Sequence, residues 1–158
     1  MKKFELTSEF VTFLGKKLFR IKALVSFGDV KEGELGGLVE KEENLDQSGN
    51  AWVYGNARIS GDARVSGDAQ VSGNAWVSGD ARVQNCRDYS ATSCFGSENR
   101  TTTFFRTKDG GISVRCGCFY GTLAEFREKV KERHGGRRLA KEYLMLADLM
   151  EFRLSKDE

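Results

Sequence analysis

Apolar residues recur with a period of six through the middle of the chain. From Gly49 the sequence reads GNAWVY, GNARIS, GDARVS, GDAQVS, GNAWVS and GDARVQ, six units without an insertion. Each unit carries an alanine and a Val or Ile two positions apart, and such residues point to the same side of an extended segment. The Gly-Asx pair marks a corner, because Gly, Asn and Asp tolerate a positive φ. The pattern predicts a narrow solenoid.

The alanine and the branched residue of each unit are expected to line the interior, as Ala51, Val53, Ala69 and Val71 do in two of the units. The residue between them points outward in every unit. The predicted outward residues are Trp52, Arg58, Arg64, Gln70, Trp76 and Arg82.

These repeats resemble the hexapeptide-repeat family of left-handed parallel β-helices, in which three hexapeptides make one triangular coil. The left hand is what the resemblance implies, since general rules of chain connection favour the right. Residues eighteen apart then stack about 4.8 Å apart, which puts Trp52 beneath Gln70. Residues 49–84 would form two coils that need a cap at each end. The resemblance also implies a homo-oligomer, with a trimer favoured.

Residues 1–48 are expected to form an N-terminal hairpin and a capping coil. FELTSEFVTFL and KKLFRIKALVSF alternate apolar and polar residues about a turn at residues 15–16. In the segment that follows, Leu35 would stand one coil before Val53. The register fails further on, because Lys41 would fall inside, so we expect this coil to be degenerate.

Residues 85–158 are expected to form a hairpin followed by two helices. An irregular connector leads into TTTFFRT and ISVRCGCFY, which flank a turn at residues 108–111. Thr122 and Glu125 predict a capping box at the start of the first helix, and a Gly-Gly pair ends that helix. The last helix, within residues 137–154, is apolar around most of its circumference, which favours burial or contact with another subunit.

Two flanking segments carry a second resemblance. The segment GSENRTTTFFRTKDGGISVRCGCFYGTLAEFREKVKERHG resembles a C-terminal module of phage and prophage proteins that contain hexapeptide repeats, and FGDVKEGELGGLVEKEENL resembles their lead-in. Together the resemblances cover most of the chain. They imply a mainly β, phage-related protein, but no single activity that belongs to the family.

Composition narrows the function classes. Lys plus Arg is 25 against 23 for Asp plus Glu, a net charge of +2, which gives no general attraction to a nucleic-acid polymer or a membrane. Glu5 and Glu9 interrupt the N-terminus before any long apolar run, so no signal peptide is evident. We therefore expect a cytoplasmic protein, in the host cytoplasm if it is phage-encoded, with reduced cysteines.

The sequence favours a binding function over catalysis or metal binding. In the acyltransferases of the hexapeptide-repeat family, a histidine on the solenoid acts as general base. The single histidine of this chain, His134, lies outside the repeats. Cys116 and Cys118 could form half of a zinc site, but their spacing favours two small core residues on one strand face. A Cys118–His134 nucleophilic pair lacks an orienting third group. We expect no catalytic residue, no metal and no cofactor.

The stretch GSENRTTT at residues 96–103 supplies the candidate binding site. Its hydroxyls, backbone N–H groups and guanidinium could cradle an anion, although a polar turn before an edge strand is the alternative. Two further arginines on neighbouring hairpin strands and the helix histidine could join it. The predicted ligand-binding residues are Ser97, Asn99, Arg100, Thr102, Arg106, Arg115 and His134.

The sequence thus favours a non-enzymatic, phage-type protein that sequesters a small anionic, nucleotide-like ligand and so counters host nucleotide signalling. A rival of another class is a structural or protein-interaction scaffold that binds a host protein. A hexapeptide acyltransferase is the third hypothesis. Native mass spectrometry of a co-purified molecule would separate the first hypothesis from the second.

Overall fold

The computed structural model describes residues 2–95, 100–116 and 119–155, and within them the chain is mainly β with two C-terminal helices. The strands are β1 (Phe4–Phe13), β2 (Lys16–Ala23), β3 (Leu35–Val39), β4 (Trp52–Val53), β5 (Arg58–Ile59), β6 (Arg64–Val65), β7 (Gln70–Val71), β8 (Trp76–Val77), β9 (Arg82–Val83), β10 (Tyr89–Phe95), β11 (Arg100–Arg106), β12 (Ile112–Cys116) and β13 (Phe119–Thr122). The helices are α1 (Leu123–His134) and α2 (Arg138–Leu154).

The hexapeptide repeats form a β-solenoid, as the sequence predicts. Strands three repeats apart pair in parallel, β4 with β7, β5 with β8 and β6 with β9, so Trp52 stands opposite Gln70. The alanine and the Val or Ile of all six repeats are fully buried. Gly67 and Gly79 turn the corners with φ of +63° and +64°, a conformation that costs a residue with a Cβ about 1–2 kcal/mol.

A capping coil precedes the repeats, but its predicted register is wrong by two residues. Strand β3 pairs in parallel with β5 so that Val39 stands opposite Ile59, a spacing of twenty rather than eighteen. The two extra residues lie between Leu45 and Val53, because Leu45 also stands opposite Val65 at a spacing of twenty, whereas Val53 stands opposite Val71 at eighteen. Leu35 therefore pairs with Lys22 of the hairpin and is 55% exposed.

The hairpin of β1 and β2 continues the sheet of β3 and covers the outside of the solenoid. Trp52, predicted to be an outward residue, does point out of the solenoid, but it is 0% exposed. Its indole contacts the rings of Phe4 and Phe27 edge to face, with centroid distances of 6.3 and 5.3 Å. At Trp52 the outward side of this face is therefore a second layer of core rather than a solvated surface.

The C-terminal module is a four-stranded antiparallel sheet in the order β10-β11-β12-β13. The predicted irregular connector after the repeats is wrong in part, since β10 occupies residues 89–95. Successive residues of β11 face opposite ways: Phe104 packs on Phe126 of α1, whereas Phe105 joins the solenoid core. The sheet thus lies between the helices and the end of the solenoid.

Both helices pack on the sheet through one apolar side. The capping box is confirmed, because Thr122 Oγ1 accepts from Glu125 N at 3.1 Å and Glu125 Oε1 accepts from Thr122 N at 2.8 Å. Tyr143, Leu146 and Met150 of α2 are buried. Neither α1 nor α2, in the portion of the chain that the structure describes, has the length and apolar character needed to cross a membrane.

Candidate functional site

The structure places the described members of the predicted anion site on two sides of the C-terminal sheet. Ser97 and Asn99 lie outside the described residues, and Arg100 is the first residue of β11. Thr102 is 0% exposed, and its hydroxyl donates to Cys116 Sγ at 3.2 Å on the helix side of the sheet. This hydroxyl is therefore committed to the core.

Arg106 lies on the same side of the sheet and holds the end of α2. Its Nη1 pairs with Asp88 Oδ1 at 3.1 Å, and its Nε donates to the carbonyl oxygen of Leu154 at 2.7 Å. A cation at the C-terminal end of a helix is favoured by the helix dipole and by the carbonyls left without partners there. Arg106 thus has a structural role that the sequence did not predict.

Arg115 lies on the solenoid side, because it stands opposite Thr103 in β11. Its Cζ is 3.6 Å from the centroid of the Trp76 ring and 5.5 Å from that of Tyr120. His134 is at the far end of α1, where its ring stacks on Tyr143 at a centroid distance of 5.8 Å. The described members of the predicted set therefore do not line one pocket.

A different groove contains part of the predicted hydroxyl-rich stretch. This hydroxyl groove has a volume of about 360 Å³ and lies between a solenoid corner, β10 and the end of α2. Ser93 Oγ and Thr101 Oγ1 share a hydrogen bond of 2.9 Å, and the Tyr89 hydroxyl donates to Gln70 O at 2.9 Å. Its lining residues are Ser72, Gly73, Asn74, Cys86, Tyr89, Ser90, Ala91, Ser93, Thr101 and Arg153.

Arg153 gives the hydroxyl groove its positive charge. Its side chain is exposed, and no carboxylate of the described residues forms an ion pair with it. Hydroxyls, an aromatic ring and an uncompensated guanidinium can bind a small polar anion. The sequence analysis missed this groove because Thr101 alone belongs to the stretch it singled out, although the alternating small hydroxyls of residues 90–93 were a local signal.

A second cavity, of about 320 Å³, lies on the face of the solenoid that carries Arg64 and Arg82. Both acidic and basic side chains line this cavity. Lys41 Nζ pairs with Asp62 Oδ1 at 2.8 Å. The hydrogen bond from Lys41 lowers the pKa of Asp62, and the same bond raises the pKa of Lys41. This mutual compensation makes the cavity less suited than the hydroxyl groove to a free anion.

The exposed side of α2 carries large apolar residues. Met145 is 71% exposed, Leu149 56% and Phe152 85%. These residues stand at helical positions i, i+4 and i+7, so they form one row along the helix. An exposed row of this kind is typical of a surface that contacts another protein.

Comparison with known proteins supports the presence of a β-solenoid repeat in the middle of the chain. A family profile described as the YdcK beta solenoid repeat matches residues 57–73. The comparison with curated proteins gave no significant match. The central repeats are thus similar to a β-solenoid repeat, in agreement with the parallel pairing of β4 to β9.

Proposed function

We propose that the protein is a non-enzymatic β-solenoid scaffold that binds another protein through the exposed row of α2, and that its first partner is a second copy of the chain. The observation that carries this proposal is the exposure of Met145, Leu149 and Phe152 on a helix whose other side is packed. Left-handed winding and a trimeric assembly extend the proposal, because the resemblance to hexapeptide-repeat solenoids implies both.

The physical basis is the apolar area that the row leaves in water. Burial of apolar surface stabilises association by about 25 cal/mol per Å², and three large side chains in one row can form the apolar centre of an interface. Leu146 of α2 is instead 7% exposed and packs in the core of the C-terminal module. Leu146→Glu is therefore expected to unfold the module rather than to dissociate an oligomer.

Light scattering at micromolar concentration tests self-association. The wild-type protein is expected to be an oligomer, and Leu149→Glu and Phe152→Glu are expected to shift it to the monomer with an unchanged circular dichroism spectrum. Lys129→Glu, at an exposed position of α1, is the control and should leave the mass unchanged. A monomeric wild type would contradict self-association. A pull-down from host lysate, with Leu149→Glu as the negative bait, then tests a host partner.

A second candidate function is the sequestration of a small anionic, nucleotide-like ligand by a phage-type protein that counters host nucleotide signalling. The hydroxyl groove favours it, because its volume of about 360 Å³ falls in the range of small-molecule sites, roughly 300–1,000 Å³. Its hydroxyls suit the ribose and phosphate oxygens of a nucleotide, and Arg153 supplies a charge-assisted donor. Sequestration requires no catalytic group, so the ligand would be released chemically unchanged.

Calorimetry with cyclic mono-, di- and trinucleotides and ADP-ribose isomers tests this second candidate. Sub-micromolar affinity is expected of at least one of them. Arg153→Gln should weaken binding by about tenfold to a hundredfold, the effect of one charge-assisted contact. Arg87→Gln, at an exposed position outside the groove, is the matched control. Absence of binding across the panel would refute the ligand hypothesis.

A further inference from the structure

A cluster of arginines and aromatic rings lies where the N-terminal hairpin, the solenoid and the C-terminal sheet meet. Arg58 Cζ is 4.4 Å from the ring centroid of Phe13, the last residue of β1. The Phe13 and Trp76 rings meet edge to face at 4.7 Å, and Arg115 covers Trp76. Each of the three structural units therefore contributes to this arginine–aromatic cluster, which consists of Phe13, Arg58, Trp76, Arg115 and Tyr120.

The backbone of the solenoid fixes the position of Arg58. It stands in β5 between Leu38 of β3 and Trp76 of β8, in parallel register with both. The Phe13 ring then covers the guanidinium from the outside. A guanidinium is planar, so an oxyanion in its plane can accept two of its N–H donors at once.

The hydrogen-bonding state of Arg58 is incomplete. Its Nε is shielded from solvent and has no hydrogen-bond partner, and no carboxylate in residues 2–95, 100–116 and 119–155 forms an ion pair with Arg58. A buried donor left unsatisfied is unfavourable, and arginine keeps its charge at any pH at which the protein is folded. Neither Nη group of Arg58 has a hydrogen-bond partner among the described residues, so the site has unused donors and an uncompensated charge.

We propose that Arg58 binds an oxyanion, the phosphate or pyrophosphate group of a ligand. The two Nη groups of Arg58 donate to two oxygens of the anion, the end-on bidentate geometry of a guanidinium. The Trp76 ring that contacts Phe13 is covered on its face by Arg115.

Other charged surfaces of the molecule suit an oxyanion less well. A cavity of about 730 Å³ is lined by Asp80, Asp109, Glu125 and Glu151, and an arginine at its edge, Arg127, already pairs with Glu151 at 2.7 Å. Repulsion between these carboxylates and an anion excludes it there. The proposal for Arg58 is also independent of the α2 row and of the hydroxyl groove, since it shares no residue with either.

Calorimetry with inorganic pyrophosphate at low ionic strength tests the proposal on the full chain. The wild-type protein should bind, and Arg58→Gln should weaken binding at least about tenfold. Arg58→Lys keeps the charge but lacks the planar fork, so binding should fall between the two. The control is Arg64→Gln, at the equivalent position of the next repeat, where the side chain is exposed and its loss should have no effect.

Fluorescence gives an independent readout, because the chain has two tryptophans. In Trp52→Phe, pyrophosphate should change the emission of Trp76, and Arg58→Gln should abolish that change. Absence of pyrophosphate binding at millimolar concentration would overturn the proposal, as would an equal loss in Arg58→Gln and Arg64→Gln. Leu149→Glu and Arg153→Gln should bind pyrophosphate normally, so failure of the proposed functions remains distinct from failure of this site.

Discussion

Replacement of Trp52 by alanine should destabilise the protein by about 3–5 kcal/mol, the usual cost of removing a fully buried indole. Trp52 is 0% exposed, with Phe4 and Phe27 against its ring. The backbone at Gly36 also lies close to the indole, since a Cβ added to Gly36 would stand 2.7 Å from Trp52 Cζ2. Alanine would leave a cavity that the rigid solenoid on one side cannot fill by collapsing.

The matched control is Gln70→Ala, one coil along in the same column. Gln70 is the parallel partner of Trp52, but its side chain is exposed, so its loss should change the free energy of unfolding by no more than about 0.5 kcal/mol. Trp52→Phe should cost much less than Trp52→Ala. Among the described residues the indole Nε1 has no hydrogen-bond partner, so phenylalanine loses volume but no hydrogen bond.

Urea denaturation followed by circular dichroism measures the three free energies of unfolding. In a Trp76→Phe background, Trp52 is the remaining tryptophan, and its emission should be blue-shifted in the folded state and red-shifted on unfolding. The reasoning is refuted if Trp52→Ala costs no more than Gln70→Ala. That result would mean that the hairpin does not cover this face in solution.

Three further substitutions test the solenoid and its caps. Val71→Asp should unfold the protein, because an unpaired carboxylate at a 0% exposed position costs several kcal/mol, and an ordinary melting temperature would contradict the register. Gly67→Ala should cost more than Gly73→Ala, because a Cβ at Gly67 would stand 2.6 Å from the backbone oxygen of Gln84, whereas one at Gly73 has no described atom within 4 Å. Both glycines have φ above +60°, which costs alanine about 1–2 kcal/mol, so equal losses would argue against the close stacking of residue 84 on this corner. Lys3→Met removes the bond from Nζ to Ala51 O at 2.8 Å and should cost about 1–3 kcal/mol, against little for the exposed Lys2→Met, with chemical denaturation as the assay. Burial lowers the pKa of Lys3 below 10.5, so the folded state releases its proton first and stability should rise as the pH approaches 10.5 from below.

The solenoid could be predicted because its signal is local. Every hexapeptide contains the residues of its own corner, its two inward residues and its outward residue. The coils stack because each of them repeats the same geometry. The capping box at Thr122 is local in the same sense, since the two residues that form it are three positions apart. Prediction succeeded wherever one short segment contained the whole interaction.

The burial of outward-pointing solenoid residues by the N-terminal segment could not be predicted in this way. Trp52 and Gln70 occupy equivalent positions in the repeat, yet one is buried and the other exposed. The difference lies in Phe4 and Phe27, which are more than twenty residues away along the chain and reach Trp52 through the hairpin and its connection. The shifted register of β3 has a similar origin, because the two extra residues of the capping coil lie between Leu45 and Val53. In that segment Gln47 accepts hydrogen bonds from the backbone N–H groups of Lys3 and Phe4 at 2.7 and 3.1 Å.

The predicted anion site depended on a register that the sequence does not specify. In an antiparallel pair, a shift of one residue moves every side chain of a strand to the other face of the sheet. Thr102 stands opposite Cys116, so Arg115 stands opposite Thr103 and faces the solenoid. Pairing of Arg115 with Thr102 instead would have put both on one face, as the predicted pocket required. Residues 107–111 close the loop between the two strands, and the pairing that results divides the described residues of the predicted site between two surfaces.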